Sequence, residues 1–138
     1  MVDLIDEKLL SMLEKNAKMT NQEIADNVGL TEGAVRRRIK VLEQSGIVVG
    51  YKARIKYHLL DKTHMIVGLD ISPESFNSVI LKLKGLPEIN ELYTTTGDHV
   101  AIFVAAVKSS QANEFVKRIE GIKGIRHVYP AFVQEIVK

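Results

Sequence analysis

A cationic stretch in the first half of the chain carries the clearest signal for chemistry. Its seven basic residues are Arg36, Arg37, Arg38, Lys40, Lys52, Arg54 and Lys56. Only one acidic residue, Glu43, lies among them, although the net charge of the whole chain is just +2. A basic block in an otherwise net negative chain is typical of a surface that binds a polyanion such as nucleic acid.

Acid–base or metal chemistry would depend on four histidines, because histidine is the side chain that ordinarily titrates near neutral pH. They are His58, His64, His99 and His127, and no two stand at a spacing typical of metal ligands. The chain has no cysteine, which excludes disulfides, thiol catalysis and Cys-ligated metals. The sequence therefore predicts no metal, no cofactor and no enzymatic activity.

The composition is that of a globular protein of one or two small domains, with 138 residues and 46% apolar residues. The longest apolar run, VAIFVAAV (100–107), is too short to span a bilayer. The first residues are acidic and lack the pattern of a signal peptide. We expect a cytoplasmic protein that does not associate with a membrane.

The basic stretch follows two predicted helices and includes most of a third. Residues 3–15 have apolar side chains at helical spacing. TNQE (20–23) is a capping box that opens a second, short helix, which Gly29 ends. Thr31 is the N-cap of the third helix, and Gly46 stands where a glycine just beyond a helix belongs. Two short helices joined by a glycine turn predict a helix-turn-helix.

The segment IVVGYKARIKY (47–57) begins with β-branched residues and then alternates between apolar and polar residues. This pattern predicts a strand or a short hairpin, which would be the wing of a winged helix-turn-helix. We place the DNA-binding domain at 1–56 and a linker at 57–62.

The helical wheel separates the three consecutive arginines of the third helix. When Val35 defines the buried direction, Arg37 points about 200° away from it, and Arg38 lies near the buried edge at about 300°. We therefore predict that Arg38 lies along the domain body and pairs with Asp6. Arg36 and Lys40 flank Arg37, with Gly33 between them. The predicted DNA-binding residues are Thr31, Gly33, Arg36, Arg37, Lys40, Lys52 and Arg54.

The second half of the chain, 63–138, predicts a ferredoxin-like βαββαβ domain. Strands are expected at 63–72, 89–96, 100–107 and 125–136. Ser72, with Pro73 after it, is expected to cap one helix, and Ser109 or Ser110 the other. The similar segments GLPEINELY (85–93) and GIKGIRHVY (121–129) suggest two βαβ halves. The fold class is thus α+β, a winged helix-turn-helix followed by this domain.

The strand VAIFVAAV is apolar on both faces, whereas two helices can cover only one face of a four-stranded sheet. A second copy of the sheet would cover the other face, so we predict a homodimer. The predicted interface residues are Ile102, Phe103 and Val104. Phe103 and Val104 point to opposite faces, and the sequence does not say which of them faces the partner.

The combination resembles the Lrp/AsnC family of prokaryotic transcription regulators over essentially the whole chain. The matching segments are IDEKLLSMLEKNAKMTNQEIADNVGLTEGAVRRRIKVLEQSGIVVGYKA for the DNA-binding half and TTTGDHVAIFVAAV for the second domain. The resemblance implies binding to double-stranded promoter DNA, assembly into dimers and then tetramers or octamers, and in many members a response to an amino acid.

The resemblance also places an effector site in the turn between the second and third strands of the βαββαβ domain. The expected effector residues are Thr96, Gly97, Asp98 and His99. Family members that bind amino acids usually have an aspartate where this chain has Val100, and a threonine at what is here Pro130. An ammonium group needs a carboxylate or carbonyls in place of its water. Asp98 is the nearest substitute, although strand alternation would aim it elsewhere.

Two other classes of function remain as alternatives. Siroheme decarboxylases resemble the same family, so an enzyme on this fold is one of them. The other is a small-ligand-binding module that binds no DNA, but such a module would not need the basic helix and wing. RNA binding by the sheet is disfavoured, because VAIFVAAV offers no stacking aromatics or basic residues for bases.

Overall fold

The computed structural model describes residues 1–138 and divides into two units, Met1–Arg54 and Ile55–Lys138. Each unit has a hydrophobic core of its own. The first unit is helical, and the second is a four-stranded antiparallel sheet with two helices. The predicted α+β class is confirmed. The predicted linker contains a 3₁₀ helix at Tyr57–Leu60.

The N-terminal unit consists of helices α1 (Leu4–Lys15), α2 (Asn21–Val28) and α3 (Glu32–Gln44). Each begins at a side chain that caps its first turn, because the first amides of a helix have no partner within it. The capping residues are Asp3, Thr20 and Thr31. The core between the helices consists of Leu9, Ile24, Ala25, Val35 and Ile39.

The predicted wing strand is wrong, because the chain after α3 contains neither helix nor strand as far as residue 56. The N–H of Val48 donates to the Leu42 carbonyl, which belongs to the end of α3. Val49 is 95% exposed and Tyr51 is half exposed. Strands need a partner ladder, and this unit contains no other strand to provide one.

The C-terminal unit contains strands β1 (Lys62–Ile71), β2 (Ile89–Thr94), β3 (Ala101–Lys108) and β4 (Ile125–Phe132). They pair in the order β2-β3-β1-β4, so the two inner strands are β3 and β1. Helices α4 (Phe76–Lys84) and α5 (Ala112–Glu120) connect the strands and pack on one face of the sheet. This arrangement is the predicted βαββαβ order.

Neither predicted serine cap is present at α4 or α5. Ser72 makes no side-chain cap bond, and its backbone N–H donates to the Gly124 carbonyl. Pro73–Ser75 forms a 3₁₀ turn, and α4 begins only after it. Ser109–Gln111 forms the corresponding turn before α5, so Ser109 and Ser110 lie inside it. Tight 3₁₀ turns are frequent at helix starts, where they take the place of a side-chain cap.

Alternation along β3 separates the two faces of the sheet. Phe103 and its neighbours two residues away are buried against the helices, while Ile102, Val104 and Ala106 point to the opposite face and are half-buried. Ile66 of β1 also lies on that opposite face and is 44% exposed. We call this apolar surface, made of Ile66, Ile102, Val104 and Ala106, the open face.

Candidate DNA-binding surface and effector loop

The position of α3 is fixed by a glycine turn and a threonine cap. Gly29 adopts the left-handed conformation (φ 72°) and ends α2, so the chain turns within a few residues. The Thr31 hydroxyl then accepts the N–H of Ala34 at 3.2 Å. Val35 and Ile39 are buried on the inner side of α3. The opposite side of the helix therefore faces outward.

The outer face of α3, made of Gly33, Arg36, Arg37 and Lys40, is cationic. All three basic side chains are exposed, as the helical wheel predicts. Arg36 Nη1 forms an ion pair with Glu32 at 3.1 Å, and the Arg36 side chain is still 65% exposed. Gly33 adds no side chain beside them, so the surface between the cations is open. An exposed cationic helix can enter a groove of a polyanionic duplex.

Arg38 points in another direction and holds α3 against α1. Its Nη1 donates to Asp6 Oδ1 at 2.9 Å, as predicted, and also to Asp3 Oδ2 at 2.8 Å. The Asp6 N–H, followed by the Arg38 guanidinium, lowers the pKa of the Asp3 carboxyl. Hydrogen bonds to both carboxylates raise the pKa of Arg38. Sequence reasoning missed Asp3, although the spacing of Asp3 and Asp6 is that of a capping box.

The other two predicted DNA-binding cations, Lys52 and Arg54, lie beyond α3 in the segment without regular structure. Both are exposed. The structure therefore keeps them on the surface of the N-terminal unit but does not place them on a wing.

The predicted effector loop is a tight turn between β2 and β3. The Thr95 hydroxyl donates to the His99 carbonyl at 2.6 Å, and Val100 N–H donates to the Leu69 carbonyl at 3.1 Å. Gly97 has a φ of 106°, which a residue with a side chain rarely adopts. Thr96, Gly97 and Asp98 are exposed, whereas His99 folds back onto the sheet.

His99 belongs to a group of four side chains at the end of the sheet, made of His99, Asp70, His127 and Tyr129. Asp70 Oδ1 lies 3.9 Å from His99 Nδ1, and Asp70 Oδ2 lies 3.7 Å from His127 Nδ1. The Tyr129 hydroxyl donates to Asp70 Oδ2 at 3.3 Å. Burial and then the Asp70 charge raise the pKa of this phenol, which keeps it protonated as a donor. We call this group the Asp70 cluster.

Sequence reasoning found only the His99 part of this cluster. Asp70 and His127 come together because β1 and β4 pair in a register that sets them opposite each other. Gly68 and Tyr129 are the next such pair on the same face. Asp70, His127 and Tyr129 could have been predicted only from the register in which β1 pairs with β4, two strands that are not consecutive in the chain.

The predicted interface residues separate onto the two faces of the sheet. Ile102 and Val104 lie on the open face, as the prediction requires. Phe103 does not, because its ring is fully buried against α5, where it meets Phe115 edge to face. Phe103 is therefore removed from the predicted interface. Pro130, the other departure at the effector site, pairs with Val67 on edge strand β4, where proline is tolerated.

Comparison with known proteins agrees with both halves of this geometry. Residues 2–49 match the model of a winged helix-turn-helix DNA-binding domain. Residues 64–138 match the model of an Lrp/AsnC ligand binding domain. The chain belongs to the Lrp/AsnC family. The predicted resemblance is thereby confirmed, and with it the helix-turn-helix and ferredoxin-like domains of this Lrp/AsnC protein.

Relatives of this Lrp/AsnC chain include an HTH-type transcriptional regulator LrpA from Pyrococcus horikoshii, 36% identical over the full length of both chains. The leucine response regulatory protein LrpA of Mycobacterium tuberculosis has the same fold, with a TM-score of 0.80 and 24% identity over 99% of this chain and 95% of that one. A Neisseria meningitidis transcriptional regulator, solved as an L-Met complex, has a TM-score of 0.73 and 23% identity over 100% and 93% of the two chains.

Two further structural findings concern other kinds of site. None of the helices has the length and apolarity that a membrane crossing needs. No group of three or more His, Cys, Asp or Glu side chains is arranged to hold a metal ion. The four histidines are dispersed, apart from His99 and His127 on either side of Asp70.

Proposed function

We propose that this Lrp/AsnC protein is a sequence-specific transcription regulator that binds double-stranded DNA with the outer face of α3. The observation that carries the proposal is the exposure of Arg37 and Lys40 directly opposite the buried Val35 and Ile39. Neither cation belongs to an ion pair of the chain, so both charges are available to phosphates and base edges. Lys52 and Arg54 would extend the same positive surface along the backbone of the duplex.

The α3 helix would act as the recognition helix. In helix-turn-helix proteins the second helix of the motif lies in the major groove, with its N-terminal residues against base edges. Here those residues are Thr31, Glu32, Gly33 and Arg36. Arg37 and Lys40 follow on the same side, where phosphates flank the groove. A cytoplasmic location would follow from this function, because the chain would act where the chromosome lies.

A homodimer is the second part of the proposal, with the open face as its interface. Ile66 lies across from Val104 on the neighbouring strand, and the two leave a continuous apolar surface uncovered. A soluble monomer rarely exposes such a surface. Each copy would then supply one α3 to one of two half-sites on the DNA. Further association into tetramers or octamers is part of the same proposal.

An effector that binds the loop between β2 and β3 is the third part. The match to a ligand binding domain supports it, as does the neisserial neighbour solved with L-Met. Val100 replaces the aspartate expected for an ammonium group, and Asp98 is exposed, whereas His99 lies against Gly68 of β1. The effector would therefore be an amino acid or another small molecule whose recognition differs from that of the usual family members.

The enzyme alternative receives no specific support. The relatives are named as transcriptional regulators, which favours a protein that is not an enzyme. The DNA-free ligand module is disfavoured by the cationic outer face of α3.

Footprinting of the purified protein on the DNA upstream of its own gene, with and without a panel of amino acids, tests the proposal. The double variant Arg37→Ala, Lys40→Ala should lose the footprint at concentrations where the parent protects it. The matched control, Lys82→Ala with Lys84→Ala on α4, removes the same charge from exposed positions of the other unit and should keep it. Equal protection by the two double variants would contradict the proposed surface.

A further inference from the structure

One acidic side chain lies beside the cationic outer face of α3. Glu32 is in the first turn of the helix, and both of its carboxylate oxygens accept from Arg36 Nη1, at 3.1 and 3.2 Å. The pair is exposed, since the Arg36 side chain keeps 65% of its accessible surface and the Glu32 side chain keeps 38%. A carboxylate on a surface that approaches phosphates opposes binding, so its presence there needs a reason.

We infer that Glu32 and Arg36 together read one G·C base pair in the major groove. This inference rests on the proposed function and assigns part of its sequence specificity. Arg36 uses only Nη1 for Glu32, which leaves Nη2 and Nε for a second, bidentate contact. Such a contact is the usual way in which arginine recognises guanine, through its N7 and O6 acceptors.

The carboxylate completes the pattern. The major-groove edge of a G·C pair presents two acceptors on guanine followed by the N4 amino donor of cytosine. The Arg36–Glu32 pair presents donors followed by an acceptor, which is the complementary order. An A·T pair presents the N6 amino donor of adenine where this arrangement needs the second acceptor, and the O4 acceptor of thymine where it needs a donor. The acid thus adds discrimination that a lone arginine would not have.

The position of the pair on the helix suits this role. Glu32 and Arg36 are one turn apart at the N-terminal end of α3, the end that contacts base edges in helix-turn-helix proteins. Gly33 has no side chain, which leaves the surface beside Arg36 open. A Cβ atom added there would meet no crowding, because its nearest neighbour, Arg36 Nη2, would be at an ordinary contact distance of 3.8 Å. The carboxylate also occupies Nη1, which would otherwise be available to any phosphate. Glu32 would therefore weaken binding to random DNA as well as select a base.

A purely structural role predicts something different. Glutamate in a first turn favours the helix dipole, and an exposed ion pair one turn apart stabilises a helix only slightly. Under that reading, replacement of Glu32 lowers helix stability a little and leaves base preference unchanged. The two roles are therefore separated by measuring discrimination between DNA sites and the melting temperature on the same variants.

The experiment selects a preferred site for the full-length parent protein from random duplexes and then replaces each base pair of that site in turn. At one G·C position, the parent should prefer G·C over A·T by roughly 5- to 150-fold, the range of one bidentate contact. Arg36→Ala should reduce the preference to near unity at that same position, and Glu32→Gln should reduce it in part, because the arginine contact with guanine remains. Glu32→Gln should also bind random DNA more tightly, because one negative charge is lost.

Two further variants make the result specific. Glu32→Asp keeps the charge but shortens the side chain, so it should reduce the base preference as Glu32→Gln does, without tighter binding to random DNA. Glu43→Gln removes the same charge from an exposed position near the other end of α3 and should retain the preference. Unchanged preference in Glu32→Gln at every G·C position would overturn the inference alone. A parent protein that prefers no site over random DNA would instead refute the proposed function.

Discussion

The imidazole ring of His99 lies directly over Gly68, and a Cβ atom on that glycine would meet three ring atoms at 2.5 to 2.7 Å. Gly68 is buried in β1, an inner strand, where glycine otherwise weakens a sheet. The presence of glycine at position 68 is explained by the loop between β2 and β3, because only a residue without a side chain lets His99 of that loop lie on the strand.

Replacement of Gly68 by alanine should destabilise the C-terminal unit by about 1–3 kcal/mol, the usual cost of forcing extra volume into a packed position. The added methyl group displaces the ring, and the displaced ring moves the loop. In the double variant with His99→Ala, the methyl group meets no ring and much of the loss should be recovered. Calorimetric melts of both single variants and the double variant give the coupling. Strictly additive effects would show that the close approach has no energetic role.

Arg38→Ala should lower the melting temperature of the N-terminal unit by several degrees. The substitution removes the guanidinium that links the buried Asp6 carboxylate, 8% exposed, to α3. Asp6 would then keep the Asp3 N–H as a donor but lose its counter-charge, and a buried charge without a counter-charge is unfavourable. Arg37→Ala, next to it on the outer face, is the control and should leave the melting temperature unchanged. If Arg38→Ala affected DNA affinity alone, Arg38 would belong to the DNA-binding surface and not to the domain body.

The Asp3 carboxyl should make the free energy of unfolding depend on pH, and the direction of this dependence follows from its lowered pKa. Its pKa in the folded protein lies below the ordinary value of 3.8, so its contribution to stability is present above that value and is lost as the pH falls through the folded pKa. The Asp6 N–H is the larger cause, and Arg38 adds to it. In Arg38→Ala the Asp3 pKa should rise yet stay below 3.8, as an NMR titration of the carboxyl would show. A pKa that did not move would mean that Arg38 does not contribute.

The two faces of β3 should respond differently to a buried charge. Phe103→Glu should unfold the C-terminal unit, because loss of a fully buried aromatic ring costs about 3–5 kcal/mol even before the charge is counted. Val104→Glu should leave the unit folded and give a monomer that binds DNA more weakly. Sedimentation and circular dichroism distinguish the two results. A folded dimer of the Val104→Glu variant would refute the open face as the interface.

Lys52 and Arg54 should govern the salt dependence of DNA binding more than the choice of site. Each phosphate contact adds roughly 0.9 to the slope of log affinity against log salt concentration. The double variant Lys52→Ala, Arg54→Ala should therefore have a shallower slope and the same order of preference among sites. A changed order of preference at an unchanged slope would place these side chains on base edges.

The helix-turn-helix could be predicted from the sequence because its signals are local. The capping box at Thr20, the left-handed Gly29 and the cap at Thr31 act within three or four residues of their own positions. The direction of Arg38 followed from helical periodicity alone. The outer face of α3 was predicted by the same argument.

Other features depend on residues far apart in the sequence, and these were missed or wrong. The strand predicted after α3 has no partner ladder in its unit, which a sequence pattern cannot reveal. Phe103 and Val104 could be assigned to faces only once the helices were placed on one side of the sheet. The Asp70 cluster requires the register of β1 with β4, two strands at distant positions in the chain.

The two units also differ in how far along the chain their contacts reach. The helices of the first unit follow one another closely, and each starts from its own cap. In the second unit β1 can pair only after β3 and β4 have been synthesised, since Lys62 pairs with Lys108 and Met65 with Phe132. Closing such long loops slows folding. On the ribosome the first unit can therefore reach its native state while the sheet is still incomplete, so a nascent chain acquires the proposed recognition helix before the proposed dimer interface exists.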